Sequence, residues 1–230
     1  MIGIVIPAHD EAEHIGDALA AAMRAAIHPA LSGEEVVVMV VLDSCSDATG
    51  AIAARHGALT LSIEARNVGI ARGAGADVLV EAGARWLAFT DADTLVSPDW
   101  LVKQLAQRAD VVCGSIGIDD WSAHGRNGEF LREHFARTYT DADGHRHVHG
   151  ANLGVCAAAY RRVGGFAPLA CSEDVALVAA LQTSGARIAF SAAPRVTTSA
   201  RTNARARGGF GDTLLAVVAA AALAVDPAIT

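Results

Sequence analysis

Short apolar runs alternate with amphipathic stretches through the first half of the chain. Ile2 to Ile6 is apolar and closed by Pro7, which predicts a buried first strand. From Glu11 to Ile27, apolar residues recur at Ile15, Leu19, Ala22, Met23 and Ala26, a helical spacing. Val36 to Leu42 is an uninterrupted, valine-rich run, the pattern of a central parallel strand. Ser46 or Asp47 can cap a following helix, and Gly57 can end it. Leu59 to Ile63 predicts a third strand. Gly69 to Glu81 predicts a helix despite its glycines, ended by Gly83. Arg85 to Thr90 is the next strand, and Ser97-Pro98 opens another helix.

The second half is less regular. Val111 to Ile118 predicts a strand. Residues 120–150 are polar, rich in His, Arg and Gly, and carry no firm pattern before His134. A segment of that length is usually functional or mobile. Val155 to Val163 and Ser172 to Thr183 predict helices, with strands near Arg187 to Phe190 and Arg195 to Thr198. Strand-helix alternation implies right-handed crossovers and an α/β fold, a mostly parallel central sheet with helices on both faces. No repeat or linker divides the chain, so residues 1–230 read as one domain. Its first 115 residues or so would form a nucleotide-binding half, residues 116–205 an acceptor half and 206–230 a terminal helix.

Composition narrows the field. Of 230 residues, 52% are apolar and only 5% aromatic, so alanine-rich, close packing is expected. The formal net charge of -7 disfavours nucleic acid as a partner, because phosphate backbones attract a basic face. Cys45, Cys113, Cys156 and Cys171 form no C-x-x-C pair, which predicts free thiols in a reducing cytosol. The N-terminal run lacks the basic region of a signal peptide. Leu214 to Val225 is apolar but shorter than the ~20 residues a spanning helix needs. It predicts a buried terminal helix, or one docked on a second subunit or on the inner face of a membrane.

Four segments fall just after predicted strands, on one sheet edge. They are Pro7-Ala8-His9-Asp10-Glu11, Leu42-Asp43-Ser44-Cys45-Ser46-Asp47, Arg66-Asn67-Val68-Gly69 with Arg72, and Asp91-Ala92-Asp93. Open α/β sheets bind ligands at that edge. Asp43 can accept hydrogen bonds from a base or ribose, and Arg66 and Arg72 can neutralise phosphate. Asp91 and Asp93 offer hard oxygens to Mg²⁺ or Mn²⁺, and such an ion usually also holds a substrate phosphate. Taken alone, each Asp also suits a turn or a cap. Four such coincidences favour one site for a nucleotide diphosphate.

These motifs resemble family 2 glycosyltransferases. Ile4-Val5-Ile6-Pro7-Ala8-His9-Asp10-Glu11 is similar to their opening strand and loop, and Val41 to Thr49 to their nucleotide-contacting turn. Phe89-Thr90-Asp91-Ala92-Asp93 is similar to their metal-binding D-x-D. Gly150 to Gly154, Val163-Gly164-Gly165-Phe166 and Ser172-Glu173-Asp174 resemble their acceptor-side segments. The resemblance covers about residues 2–200, in the family's order. It implies the A-type, Rossmann-like glycosyltransferase fold and an inverting, metal-dependent hexosyltransferase. The donor would be a UDP- or GDP-sugar and the acceptor a small molecule or a lipid-linked one. It also implies that Pro7, His9, Asp10, Glu11, Asp43, Arg66 and Asn67 line the nucleotide site. Asp91 would face the ribose or sugar, Asp93 the metal, and Asp174, with Glu173 beside it, would be the general base. The chain departs from the family at Asp10, where Asn is usual. It also lacks a late His near Thr197-Thr198-Ser199, which leaves a third metal ligand unassigned.

Inversion independently requires a base, because the attacking hydroxyl must lose a proton. Glu173 and Asp174 could instead only complement a helix dipole. His145, His147 and His149 alternate, either in a solvated loop or on one face of an acceptor pocket. Arg201, Arg205 and Arg207 either form a solvated surface or close over the diphosphate as a lid. Trp100 is expected in the core; Trp121 can stack on a sugar or pack. A nucleotidyltransferase is disfavoured because the acidic loop after the first strand lacks glycine. A non-catalytic sugar-nucleotide sensor is the other alternative. The expected location is cytoplasmic, with a homodimer or a peripheral membrane contact through the last helix.

Overall fold

Side chains of strand β1 (Ile2–Ala8) alternate between two apolar cores. Ile2, Ile4 and Ile6 point into one with helices α1 (Ile15–Ala26) and α4 (Trp100–Ala106); Val5 points into the other with α3 (Val68–Glu81). β2 (Val36–Asp43) repeats the division, Val38 and Val40 against Met39 and Val41. A strand's period of two thus covers both faces of the sheet with helices. The protein is a computed structural model that describes residues 1–202 and 209–225.

Eight strands form one sheet in the order β3-β2-β1-β4-β7-β6-β8-β5. β3 is Leu59–Ile63, β4 Trp86–Phe89, β5 Thr94–Val96, β6 Val111–Gly117, β7 Leu153–Cys156 and β8 Ile188–Thr198. The β3, β2, β1 and β4 neighbours pair in parallel, as do β6 and β8. β7 runs antiparallel between β4 and β6, and β5 antiparallel to β8. The remaining helices are α2 (Thr49–Arg55), α5 (Gly128–Thr138), α6 (Ala157–Val163), α7 (Glu173–Thr183) and α8 (Phe210–Val225).

Several expectations are corrected. The apolar run Val155–Val163 is not one helix: its first residues complete β7, and Cys156 Sγ then accepts from Ala159 N–H to start α6. So short a strand carries no period that separates it from a helix. The two expected strands near 187–198 are one, interrupted by a register shift opposite Gly114 and Ser115. The polar segment contains α5, whose start precedes His134. The helix expected to open at Ser97-Pro98 begins at Trp100, because Ser97 and Pro98 turn the chain out of β5. Ser172 makes no side-chain cap on α7; its backbone is left-handed, φ 58°. Neither Ser46 nor Asp47 is the N-cap of α2, which is Ala48 without a side-chain cap; from one residue earlier Asp47 accepts from Thr49 N–H at 2.9 Å. Trp100 is fully buried. Trp121 packs on His124 and Phe135 rather than facing a ligand cavity. All four cysteines are free, and among the described residues no helix is long and apolar enough to cross a membrane.

Candidate active site

The carboxyl ends of β1, β2 and β4 open into one cavity of about 880 Å³. Pro7, His9, Glu11, Asp43, Arg66, Asn67, Arg72, Asp91, Asp93, Glu173, Asp174 and Arg201 all line it. Asp10 does not. With φ 50°, it turns away and accepts from Ser46 N–H at 2.7 Å and Asp47 N–H at 3.2 Å. Its role is to tie the first loop to the second; those backbone donors, Ser46 first, hold its pKa below the usual carboxylate range. Arg205 and Arg207 lie outside the described residues.

Asp43 organises the third loop. Its Oδ1 accepts from Ala65 and Arg66 N–H and its Oδ2 from Asn67 N–H, each at 2.8 Å. Burial pushes the carboxyl up, but these donors outweigh it and the net pKa is lowered. Its oxygens are therefore occupied chiefly by backbone rather than held out for a ligand. Asn67 Oδ1 in turn caps α3 through Ile70 N–H at 3.0 Å. His9 Nδ1 lies 2.7 Å from Asp43 O. A carbonyl only accepts, so Nδ1 carries the proton.

Two arginines clasp the acids. Buried Arg72 pairs with Asp91 through Nη2 and with Glu173 through Nη1. Its charge is therefore shared between two carboxylates of the protein. A Cβ on Gly150 would press on the Arg72 guanidinium, which its two carboxylates hold in place. Arg201 grips Glu11 at 2.6 and 2.7 Å and reaches Asp93 Oδ2 with Nε at 3.1 Å. Burial raises the Asp93 pKa to about 6, against the lowering pull of Arg201. Asp174 is different. It is half-buried and accepts from Gly150 N–H at 2.6 Å and Val175 N–H at 2.8 Å, with no cation paired to it among these contacts.

A divalent ion suits this set. Six carboxylates (Glu11, Asp43, Asp91, Asp93, Glu173, Asp174) line the cavity against three guanidinium groups (Arg66, Arg72, Arg201). One cation, that of Arg201, already sits between Glu11 and Asp93. Among the described residues no three His, Cys, Asp or Glu gather into a complete ligand set. Mg²⁺ needs none: one or two carboxylates plus substrate phosphates commonly suffice.

The rest of the wall was not legible as site residues. Phe135 and Tyr139 come from α5 and the residue that follows it, and Phe210, Leu214 and Val217 from α8. Their only sequence signals are an i,i+4 aromatic pair and a long apolar run. Tyr139 stacks on Phe135 at 4.6 Å and on His147 at 4.1 Å. His145, His147 and His149 stack in series without forming a strand. His149 Nε2 is 3.1 Å from the Tyr139 hydroxyl, and burial pushes its pKa down to about 4.

Comparison with known proteins places this geometry. No curated relative matches the sequence. Among solved structures, S. aureus TarS 1-349 in complex with UDP-GlcNAc superposes with TM-score 0.66 at 14% identity, covering 100% of this chain and 68% of that one. A mannosyltransferase from Pyrobaculum calidifontis, bound to GDP-Man and Mn²⁺, gives 0.63 at 16% identity, covering 90% and 58%. Glucosyl-3-phosphoglycerate synthase from Mycobacterium tuberculosis, with Mg²⁺ and UDP, gives 0.60 at 18%, covering 96% and 78%. At these identities the likeness shows the fold, that of nucleotide-sugar transferases, and the chain spans only part of each neighbour. A family model described as glycosyl transferase family 2 matches residues 3–164, and the chain belongs to that family.

Proposed function

We propose that the protein transfers a sugar, with inversion, from a nucleoside-diphosphate donor to an acceptor hydroxyl. One observation carries the reading. A single cavity joins the strand-end residues Pro7, His9, Glu11, Arg66, Asn67, Asp91 and Asp93 to Asp174 of α7, a carboxylate with no paired cation among the contacts described. The UDP- and GDP-sugar ligands of the structural neighbours support the donor class.

In this reading Asp174 is the base. Two backbone N–H groups fix the position of its carboxylate. It takes the proton of the acceptor hydroxyl as that oxygen bonds to the anomeric carbon and the diphosphate oxygen leaves. Glu173 is less suited, because it is buried against Arg72. Its part is to hold Arg72, and through it Asp91, in place. Arg66 presents a cation to the diphosphate. Asp93, with Asp91 beside it, would hold the divalent ion, which when bound offsets negative charge on the leaving group. The aromatic and histidine wall around Tyr139 receives the acceptor, and burial lowers the pKa of its His147 and His149.

Calorimetric titration with UDP, GDP and ADP, with and without Mn²⁺, tests the reading. UDP or GDP should bind more tightly with the ion. If no nucleotide binds under either condition, the donor site does not exist.

A further inference from the structure

Arg201 stands where the donor site needs a different cation. Its Nη1 and Nη2 hold both oxygens of Glu11, at 2.7 and 2.6 Å, and its Nε holds Asp93 Oδ2 at 3.1 Å. Each guanidinium nitrogen therefore faces a carboxylate. Glu11 and Asp93 are both largely withdrawn from water, so neither charge is screened by solvent. A second cation on Asp93 would lie against a guanidinium fixed to the same carboxylate. The two repel, and the repulsion is strong in a partly buried site. An ion can settle on Asp93 only if Arg201 moves off.

Moving off has a cost and a remedy. Displaced from Glu11 and Asp93, Arg201 gives up its ion pairs with both. A nucleoside diphosphate brings new anionic oxygens into the same cavity, and guanidinium matches phosphate with two parallel hydrogen bonds. Arg201 lies just past the end of β8, on the wall of the same cavity.

We propose that Arg201 is a resident counter-ion that competes with the divalent cation for Asp93 and is released to the diphosphate when the donor binds. The inference rests on the sugar-transferase reading and adds an order to it. Without donor, the protein holds the ion only weakly. With donor, Arg201 exchanges partners and Asp93 becomes available. Ion and nucleotide then raise each other's affinity through Arg201, over and above their direct contact.

The test is Mn²⁺ uptake by the full chain, read from the loss of the free-ion paramagnetic resonance signal, with and without UDP or GDP. Wild type should take up Mn²⁺ weakly alone and at least tenfold more tightly with nucleotide. Arg201→Gln should take up Mn²⁺ at least tenfold more tightly than wild type without nucleotide, and nucleotide should then add less. Arg201→Lys keeps a charge but loses the fork, and should fall between the two; it carries the test if the Gln variant does not fold. Unchanged or weaker nucleotide-free uptake in these variants overturns the proposal. A wild type that binds Mn²⁺ with UDP while its variants gain nothing removes the competition alone. A wild type that binds neither nucleotide removes the transferase reading beneath it.

Discussion

Asp174 accepts a hydrogen bond from the backbone of Gly150 at 2.6 Å, which fixes the first turn of α7 against the loop leading into β7. That contact holds the one helix-start carboxylate that Arg72 does not claim. Gly150 is also the residue whose missing Cβ makes room for Arg72. The base and the clasp therefore share one piece of backbone.

Asp174→Asn tests the base without disturbing this contact, since the amide oxygen can still accept from Gly150. Turnover should fall by about 10²–10⁴-fold, the usual contribution of a positioned base. Nucleotide affinity, measured by calorimetry, should stay within about twofold of wild type, because Asp174 removes a proton and does not grip the donor.

Arg72→Met should be severely destabilising, because it strands buried Glu173 and leaves Asp91 without its cation. Breaking a buried pair from one side costs about 3–5 kcal/mol. The double variant Arg72→Met/Glu173→Leu should recover most of the loss. Urea unfolding of the two single variants and the double closes the cycle; strict additivity would contradict the pairing.

Asp43→Asn should loosen the loop at residues 65–67. An amide offers one acceptor oxygen where the carboxylate offered two, so at least one of three backbone donors is left unpaired. The expected cost is about 1–3 kcal/mol. Amide hydrogen exchange should rise first at Arg66 and Asn67, and unchanged protection there would contradict the assignment.

Stability should decline in mild acid through His149. Its folded pKa is about 4 and its ordinary value 6.5, so the unfolded chain takes up a proton before the folded one does. The stabilisation is complete above about pH 6.5 and is lost progressively as the pH falls toward about 4, at most about 3 kcal/mol. His149→Gln should flatten that part of the urea-unfolding profile against pH. An identical slope would show that other groups carry it.

Local pattern was enough to establish the first, second and fourth strands, the helices between them and the loops that follow them. Those elements bury continuous apolar runs, and their polar residues fall at the strand ends, so Glu11, Asp43, Asp91 and Asp93 were legible as a group. β7 and α5 were not. β7 is too short to show a period, and α5 offers the core mainly Leu131 among polar neighbours.

Charge pairing was decided by tertiary structure alone. Glu173 reads as a second base until Arg72, 101 residues earlier, is seen to hold it. Arg201 reads as part of a basic surface cluster until its grip on Glu11, 190 residues away, appears. Nor could an isolated apolar stretch show that α8 would supply a wall of the cavity. Which strand ends would carry acids, and which family the motifs resemble, could be read along the chain, because apolar period and strand-end chemistry are local. Only the folded chain decided which acids stay available to a ligand, because each arginine's charge goes to whichever carboxylates the packing brings within hydrogen-bond reach.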